Sequence, residues 1–488
     1  MLRRLLPLLL GFTLCGLVHA GSQPQIELAA TAAWKGWARP GRATELNIRL
    51  TADASTRATV DVVASGQSVR ADVDLLPGRT VRLHIPVTST EKVTVRAVVG
   101  DGLAVQRDIT IAPSESPLLG VGLATDDRVQ LDGFHTLVLA ADDLPRNALA
   151  YSGVDALILD APTLGSLDQR QLAALLAHAA GCGRIVVVNT DPAVQRVLDG
   201  AGGCGGRALM AAGSLPTAKD MLKSSLAESL PPAMSRGGIG GLAPADQVIW
   251  NRVAVGLAVY FAVAAMAVML CSFWPVLLLV PALAAVVALA LLHAMHAPSQ
   301  LVVWSEGESG APLARFQAWQ QFPGLVRERT RVPIPSQLAH AAQACDLRQP
   351  MRLDYDVKLG HATFAEFETQ LFGQVSLCYA GSFPIARSLA IDARPDGSRD
   401  VLNAGTQAWP RGVLLDAGLV HELPALDPGA RTTVNMRLEQ RVHEAVVRTA
   451  MTRTRLDGVA ALWELELVGA VDASIDSKGW LLVSMPAP

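Results

Sequence analysis

Ala156-Leu157-Ile158-Leu159-Asp160, then Ser166-Leu167-Asp168-Gln169-Arg170-Gln171-Leu172-Ala173-Ala174-Leu175-Leu176, then Arg184-Ile185-Val186-Val187-Val188, decide the fold of the middle of this 488-residue chain. The outer runs are short, continuous and apolar, the pattern of strands buried on both faces. Between them Leu172, Leu175 and Leu176 form an apolar stripe at helical spacing. Ser166 and Gln169 form a potential capping box before it, and Gly181 stops it. Strand, helix, strand in that order predicts a parallel α/β layer. Further buried-type strands over 118–124, 136–140 and 207–210 extend it, so an α/β domain is placed at 115–212. A Gly-, Pro- and Ser-containing linker, 213–250, follows, with a short helix over 217–229.

Upstream the period changes. Short alternating strands over 26–33, 44–50, 59–64, 69–75, 81–86, 93–99 and 105–111, separated by turns such as Pro40-Gly41, Pro77-Gly78 and Asp101-Gly102, predict an Ig-like β-sandwich over 21–114. The segment has no cysteine, so no intersheet disulfide is available to it. Such a sandwich is ordinarily a spacer or an adhesion surface. Before it, Arg3 and Arg4 precede an apolar stretch from Leu5 to Val18 and a cleavage site at Val18-His19-Ala20, which reads as a cleaved signal peptide over 1–20.

Downstream, residues 253–292 carry no charged side chain. At about 1.5 Å per residue one helix of that length would be roughly twice a bilayer core. Two spans, 253–271 and 276–292, joined at Ser272-Phe273-Trp274-Pro275, give a transmembrane hairpin over 251–296. By counting crossings, both flanking parts then lie in the periplasm of a bacterium, with the chain held in the inner membrane and the lipid bilayer as a partner. The last part, 297–488, reads as a mostly-β domain, with helical patterns at 313–321 and 364–371. The balance of 41 basic and 44 acidic side chains, with no basic block, removes nucleic-acid binding from consideration.

Five cysteines follow the first 20 residues: Cys182, Cys204, Cys271, Cys345 and Cys378. In an oxidising compartment they would pair as Cys182–Cys204 and Cys345–Cys378, leaving Cys271 in the apolar segment. Four buried free thiols are the other reading.

Tyr151-Ser152-Gly153-Val154-Asp155-Ala156-Leu157-Ile158-Leu159, the helix over 167–176 and Gly181-Cys182-Gly183-Arg184-Ile185-Val186-Val187-Val188 resemble the class I glutamine-amidotransferase-like domain of certain bacterial envelope proteins. Trp37-Ala38-Arg39-Pro40-Gly41 and Leu76-Pro77-Gly78 are similar to turns in the sandwich that precedes that domain. The resemblance spans roughly residues 25–300. It implies a sandwich, an α/β domain and membrane helices in series, and other envelope proteins as partners, since the group is often encoded near MoxR-type ATPases.

The chemistry of that family does not carry over as readily. Gly202-Gly203-Cys204-Gly205-Gly206 has the shape of a nucleophile elbow. The family's base is a histidine followed two residues later by a glutamate. None lies between Cys204 and the apolar segment, and His135 and His178, both upstream, lack that glutamate. A thiolate without a base or another pKa-lowering neighbour is not activated. Ser89-Thr90-Glu91-Lys92 fits S-x-x-K but falls in a turn between strands. His421-Glu422 and His443-Glu444 lack the second histidine of a zinc helix, and His293 and His296 read as polar residues at a helix end. Asp126-Asp127 and Asp142-Asp143 follow strand ends, where α/β sheets bind ligands. No catalytic, cofactor or metal residues are therefore expected. The reading is a non-catalytic scaffold, sensor or assembly factor. Its alternative is a divergent cysteine hydrolase using Cys204 with a histidine from elsewhere.

Overall fold

The computed structural model describes residues 24–64, 66–100, 103–124, 129–180, 183–190, 209–227, 299–308, 313–324, 327–335, 338, 342–345, 350–370, 374–384, 389–396, 398–416, 419–434, 450, 459–465 and 475–484, with scattered helical positions between 255 and 269. The signal peptide, Cys182, Cys204, Cys271, Asp126, Asp127, His293, His296 and His443 lie outside the described residues.

The first part contains β1 (Ile26–Ala32), β2 (Trp37–Ala38), β3 (Ala43–Ala52), β4 (Thr56–Ala64), β5 (Gln67–Leu75), β6 (Val81–Thr88), β7 (Lys92–Val99), β8 (Leu103–Thr110) and β9 (Ala112–Pro113). Antiparallel β1-β3-β6 forms one sheet, and β5-β4-β7-β8 is part of another. Alternation decides which side chains face inward. Leu46, Ile48 and Leu50 of β3 share a buried core with Val60 and Val62 of β4 and Val93 and Val95 of β7.

The second part is a five-stranded sheet of β10 (Leu118–Gly122), β11 (His135–Val138), β12 (Ala156–Asp160), β13 (Arg184–Val188) and β14 (Leu209–Ala212). All neighbours are parallel in the order β11-β10-β12-β13-β14, the order of flavodoxin-like doubly wound sheets. Helices α1 (Ala161–Gly165), α2 (Gln169–Ala180) and α3 (Leu215–Ala227) accompany it. Leu157, Leu159, Ile185 and Val187 pack with Ala174, Leu175 and Ala179 of α2. Ala156, Ile158, Val186 and Val188 pack with Ala218 and Leu222 of α3. Covering both faces is what makes these strands apolar at every position. The cap of α2 differs from the expected Ser166–Gln169 pair: the Asp168 carboxylate accepts from Gln171 N–H at 2.8 Å, and Gln171 Oε1 accepts from Asp168 N–H at 3.1 Å. Ser166 ends α1 instead, its hydroxyl donating to the Thr163 carbonyl at 2.7 Å.

The third part contains β15 (Ser299–Glu308), β16 (Leu313–Pro323), β17 (Glu328–Pro333), β18 (Gln343–Ala344), β19 (Met351–Asp356), β20 (His361–Thr369), β21 (Gln374–Pro384), β22 (Leu389–Ala393), β23 (Arg399–Asn403), β24 (Gly412–Asp416), β25 (Leu419–Leu423), β26 (Arg431–Val434), β27 (Val459–Leu465) and β28 (Ile475–Ser484). Eight of them form one sheet, β18-β21-β16-β15-β28-β27-β24-β25, and β22-β23-β26 form another. Both segments expected to be helical are strands. In β16 the buried Ala314, Phe316 and Ala318 alternate with Arg315, Gln317 and Trp319, a period of two. In β20, Ala365 and Phe367 face the core while Phe364 lies beneath the Arg331 guanidinium, 4.2 Å from the ring centroid.

The first and third parts are not separate bodies. Strand β19 pairs in parallel with β5, Met351 opposite Gln67 and Tyr355 opposite Ala71, so β17-β20-β19-β5-β4-β7-β8 is one seven-stranded sheet. A single buried cluster runs from Leu28 through Met351 to Tyr379.

The expected transmembrane hairpin, and with it the inner-membrane placement and the bilayer as partner, is corrected. Among the described residues no helix is long and apolar enough to cross a membrane. The spans at 253–271 and 276–292 lie outside the described residues, apart from the scattered positions at 255–269. In the described strands, Val, Leu, Ile and Ala fill the spaces between sheets, while Val255, Val259, Phe261, Met266 and Met269, at the scattered helical positions, are exposed.

Candidate functional site at the sandwich–α/β junction

The turn Trp37-Ala38-Arg39-Pro40-Gly41-Arg42 docks the sandwich onto the α/β layer. Asp155, just before β12, accepts from Arg42 Nη1 and from the Leu118 backbone N–H, both at 2.8 Å, and faces Arg39 Nε at 3.5 Å. Ser89 holds the turn from below, its hydroxyl donating to the Arg39 carbonyl at 2.6 Å. Ahead of the turn, Trp34 and Lys35 lie in the left-handed region, at φ 56° and 51°. That conformation costs a side-chain-bearing residue about 1–2 kcal/mol. The fully buried Trp34 indole offsets it, donating to the Ala150 carbonyl at 3.0 Å and meeting Tyr151 edge to face. Gly153 makes room: a Cβ there would lie 2.9 Å from the Ala43 carbonyl and 3.1 Å from Trp34 Nε1.

A second carboxylate latches the junction from the other side. Glu45 of β3, only 3% exposed, accepts from the backbone N–H groups of Arg146 at 2.9 Å and Asn147 at 2.8 Å. Its other oxygen lies 2.9 Å from His84 Nδ1, and Arg146 Nη1 meets His84 Nε2. The imidazole therefore sits between a carboxylate and a guanidinium. Arg146 Nε also donates to Asp168 at 2.6 Å. Burial pushes the Asp168 carboxyl upward, but the Gln171 N–H and the Arg146 guanidinium outweigh it and hold the group below the usual carboxylate range. Tyr355, from β19, donates to the His84 carbonyl at 3.0 Å, so all three parts of the chain meet here.

Beside this network a cleft of about 480 Å³ opens between the outer face of β1-β3-β6 and the loop 141–146, its walls including Lys35, Asn47, Arg49, Arg82, Asp142 and Arg146. The side chains come from two parts of the fold, and seven of them are charged: Lys35, Glu45, Arg49, Arg82, Asp142, Asp143 and Arg146.

At the switch point between β10 and β12, the buried Asp160 carboxylate accepts from Ala124 N–H at 2.5 Å and Thr163 N–H at 2.8 Å. At the other end of the sheet, before β12 and β13 begin, His178 stacks on Tyr151, with ring centroids 5.4 Å apart. Burial, helped by Arg42, pushes its pKa down to about 4, and burial raises that of Tyr151.

Among the residues singled out from sequence, Cys345 and Cys378 are joined by a disulfide that ties β18 to β21. Ser89 and Lys92 are not neighbours in a site: Ser89 supports the Arg39 turn, and Lys92 pairs with Asp108 at 2.8 Å. His421 is buried while Glu422 on the next position is exposed, so they point to opposite faces of β25. Asp142 lines the cleft; Asp143 also does, and pairs with Lys35 at 3.9 Å. Among the described residues no cluster of His, Cys, Asp or Glu could hold a metal ion. Sequence reasoning missed Glu45, His84, Arg146, Arg49 and Arg82. The available signal was Glu45-x-Asn47-x-Arg49 and Arg82-x-His84, charges at period two within otherwise apolar strands.

No family model matches this chain, and no curated protein matches it. Among solved structures, it is similar to the yeast delta-COP-I mu-homology domain complexed with a Dsl1 WxWxV peptide, at 7% identity and a TM-score of 0.18, over 38% of this chain and 94% of that one. It is also similar to a Paenibacillus cycloisomaltooligosaccharide glucanotransferase complexed with cycloisomaltoheptaose, at 12% identity and a TM-score of 0.18, over 33% of this chain and 27% of that one. Likenesses this slight carry no argument about ligand or activity.

Proposed function

We propose that this protein is a non-catalytic binding scaffold whose working site is the cleft at the sandwich–α/β junction. The observation that carries the reading is the cleft itself: about 480 Å³, within the range of small-molecule sites, and lined by charged side chains from two parts of the fold. Two details support it. The Asp160 carboxylate at the switch point is taken up by the Ala124 and Thr163 N–H groups, and the latches at Glu45 and Asp155 fix the cleft walls, so a ligand would meet a preformed site. The resemblance to amidotransferase-like domains belongs to the same proposal: the parallel strand order suits a domain that keeps that fold without its chemistry.

The test is a ligand screen on the full chain by thermal shift, repeated on Cys204→Ser and Asn47→Leu. A binding scaffold gives the same hits with Cys204→Ser and loses them with Asn47→Leu. Turnover of any hit that disappears with Cys204→Ser would overturn the reading in favour of an enzyme.

A further inference from the structure

We infer that the cleft takes an oxyanion, the phosphate or carboxylate group of a small molecule, between Arg49 and Arg82. The inference rests on the reading of the cleft as a binding site and adds the ligand's chemistry.

The register of β3 and β6 places Arg49 directly opposite Arg82 and Asn47 directly opposite His84, on the outer face of the three-stranded sheet. Like charges directly opposite each other across an antiparallel pair destabilise the sheet. Several other strand arginines are neutralised: Arg57 pairs with Asp72 at 2.9 Å, Arg70 with Asp61 at 2.7 Å, Arg331 with Asp354 at 2.8 Å and Arg399 with Asp416 at 2.6 Å. Arg96, Arg107 and Arg431 are not, among the described residues, but they face an aspartate, a valine and a leucine across the ladder, whereas Arg49 and Arg82 face each other. Among the described residues neither has an ion pair, although both line the cleft. The cleft's remaining charges do not supply one. Glu45 is consumed by His84 and two backbone N–H groups, Asp143 faces Lys35, and Arg146 is held by Asp168.

Two guanidiniums side by side present planar forks of N–H donors, which match the oxygens of phosphate or carboxylate. The rest of the wall says what else the ligand carries. Among the described residues Asn47 Oδ1 is buried with no hydrogen-bond partner, and Asp142 contributes a carboxylate. Both ask for donors, so the oxyanion belongs to a molecule that also bears hydroxyl groups.

The experiment measures stabilisation of the full chain by inorganic phosphate, glucose 6-phosphate, gluconate, glucose and choline, on wild type, Arg49→Gln and Arg82→Glu. Glucose 6-phosphate against gluconate separates the two sources of the oxyanion. The expected result is saturable stabilisation by at least one of these anions, weakened by added salt and with an apparent affinity at least about tenfold lower in each variant. Non-specific stabilisation by phosphate acts alike on all three proteins and cancels in the comparison. Arg82→Glu places opposite charges face to face, so its melting temperature without ligand should equal or exceed that of wild type. Loss of anion binding in that variant is then not a failure to fold. Equal anion responses in all three proteins would overturn the inference. Choline binding abolished by Asp142→Asn would also overturn it while leaving the cleft as the binding site. No response to any of the five probes would overturn both.

Discussion

Removing Glu45 tests whether the junction is one body or two parts in loose contact. In Glu45→Ala the backbone N–H groups of Arg146 and Asn147 lose acceptors at 2.9 and 2.8 Å, and His84 Nδ1 loses one at 2.9 Å. Each buried donor left unpaired costs about 1–3 kcal/mol. Loop 141–147 is only partly buried, so water recovers some of that loss, and a total of about 2–4 kcal/mol follows for the two N–H groups and the imidazole together. Glu45→Gln keeps an acceptor for the two backbone N–H groups when its amide oxygen takes the place of Oε2, and then sets a donor NH2 against His84 Nδ1, so it should cost roughly half as much. Unfolding of so large a chain is not two-state, which makes a global free energy the wrong readout. Hydrogen exchange reads the junction directly. At about 1.4 kcal/mol per tenfold, exchange at Arg146 and Asn147 should accelerate by between one and three powers of ten in Glu45→Ala. Amides in β24 and β25, at the opposite edge of the eight-stranded sheet from β21, should exchange as in wild type. Unchanged exchange at 146–147 would refute the latch; uniform acceleration across all three parts would mean that Glu45 supports global folding rather than the junction.

Three further outcomes follow from the geometry. Cys378→Ser opens the 33-residue separation closed by the disulfide, which chain entropy values at about 3–4 kcal/mol, so β18 should lose its exchange protection first; a variant as stable as wild type would refute that. The His178 pKa near 4 lies below the 6.5 of the unfolded chain, so the unfolded state binds the extra proton. Stability from this group is therefore complete above pH 6.5 and falls by up to about 3 kcal/mol as the pH drops to 4; urea midpoints of wild type and His178→Leu should converge over that window, and parallel curves would refute it. Gly153→Ala drives a Cβ to 2.9 Å from the Ala43 carbonyl and 3.1 Å from the Trp34 indole nitrogen, an overpacking worth about 1–3 kcal/mol that should lower the melting temperature by several degrees.

The α/β layer was the most legible part of the chain, because strands covered on both faces need apolar residues at every position and β12 and β13 supply them without interruption. The segment from 313 to 321 misled for the opposite reason. Its alternation is diluted by Trp319 on the outward-facing set and by Gln320 on the buried one, so side-chain polarity understates the period of two. Gln320 is tolerated inside because it accepts from the Tyr379 hydroxyl at 2.6 Å, a partner that no local reading of the sequence reveals. The pairing of β5 with β19 was illegible in principle. It is made by backbone groups between strands far apart in sequence, and the side chains of Val69 and Leu353 say only that each strand has a buried face.

The same logic explains why the uncharged run at 253–292 pointed outward to a bilayer while the cleft went unnoticed. A chain that is half hydrophobic can bury that content in lipid or between sheets, and composition does not distinguish the two. Here a three-stranded, a seven-stranded and an eight-stranded sheet share one buried cluster, which absorbs apolar residues from both ends of the chain. Against that background the informative residues are the few strand positions that refuse burial. On β3 the inward set is Leu46, Ile48 and Leu50, and the outward set is Glu45, Asn47 and Arg49. Solvent alone would explain an exposed Arg49. It does not explain a Glu45 buried to 3% exposure on the same face, which needs a second domain above it to supply the N–H groups that keep its charge. One face that holds a buried carboxylate at one end and two unpaired guanidiniums at the other is closed by protein at the first and left open for an anion at the second.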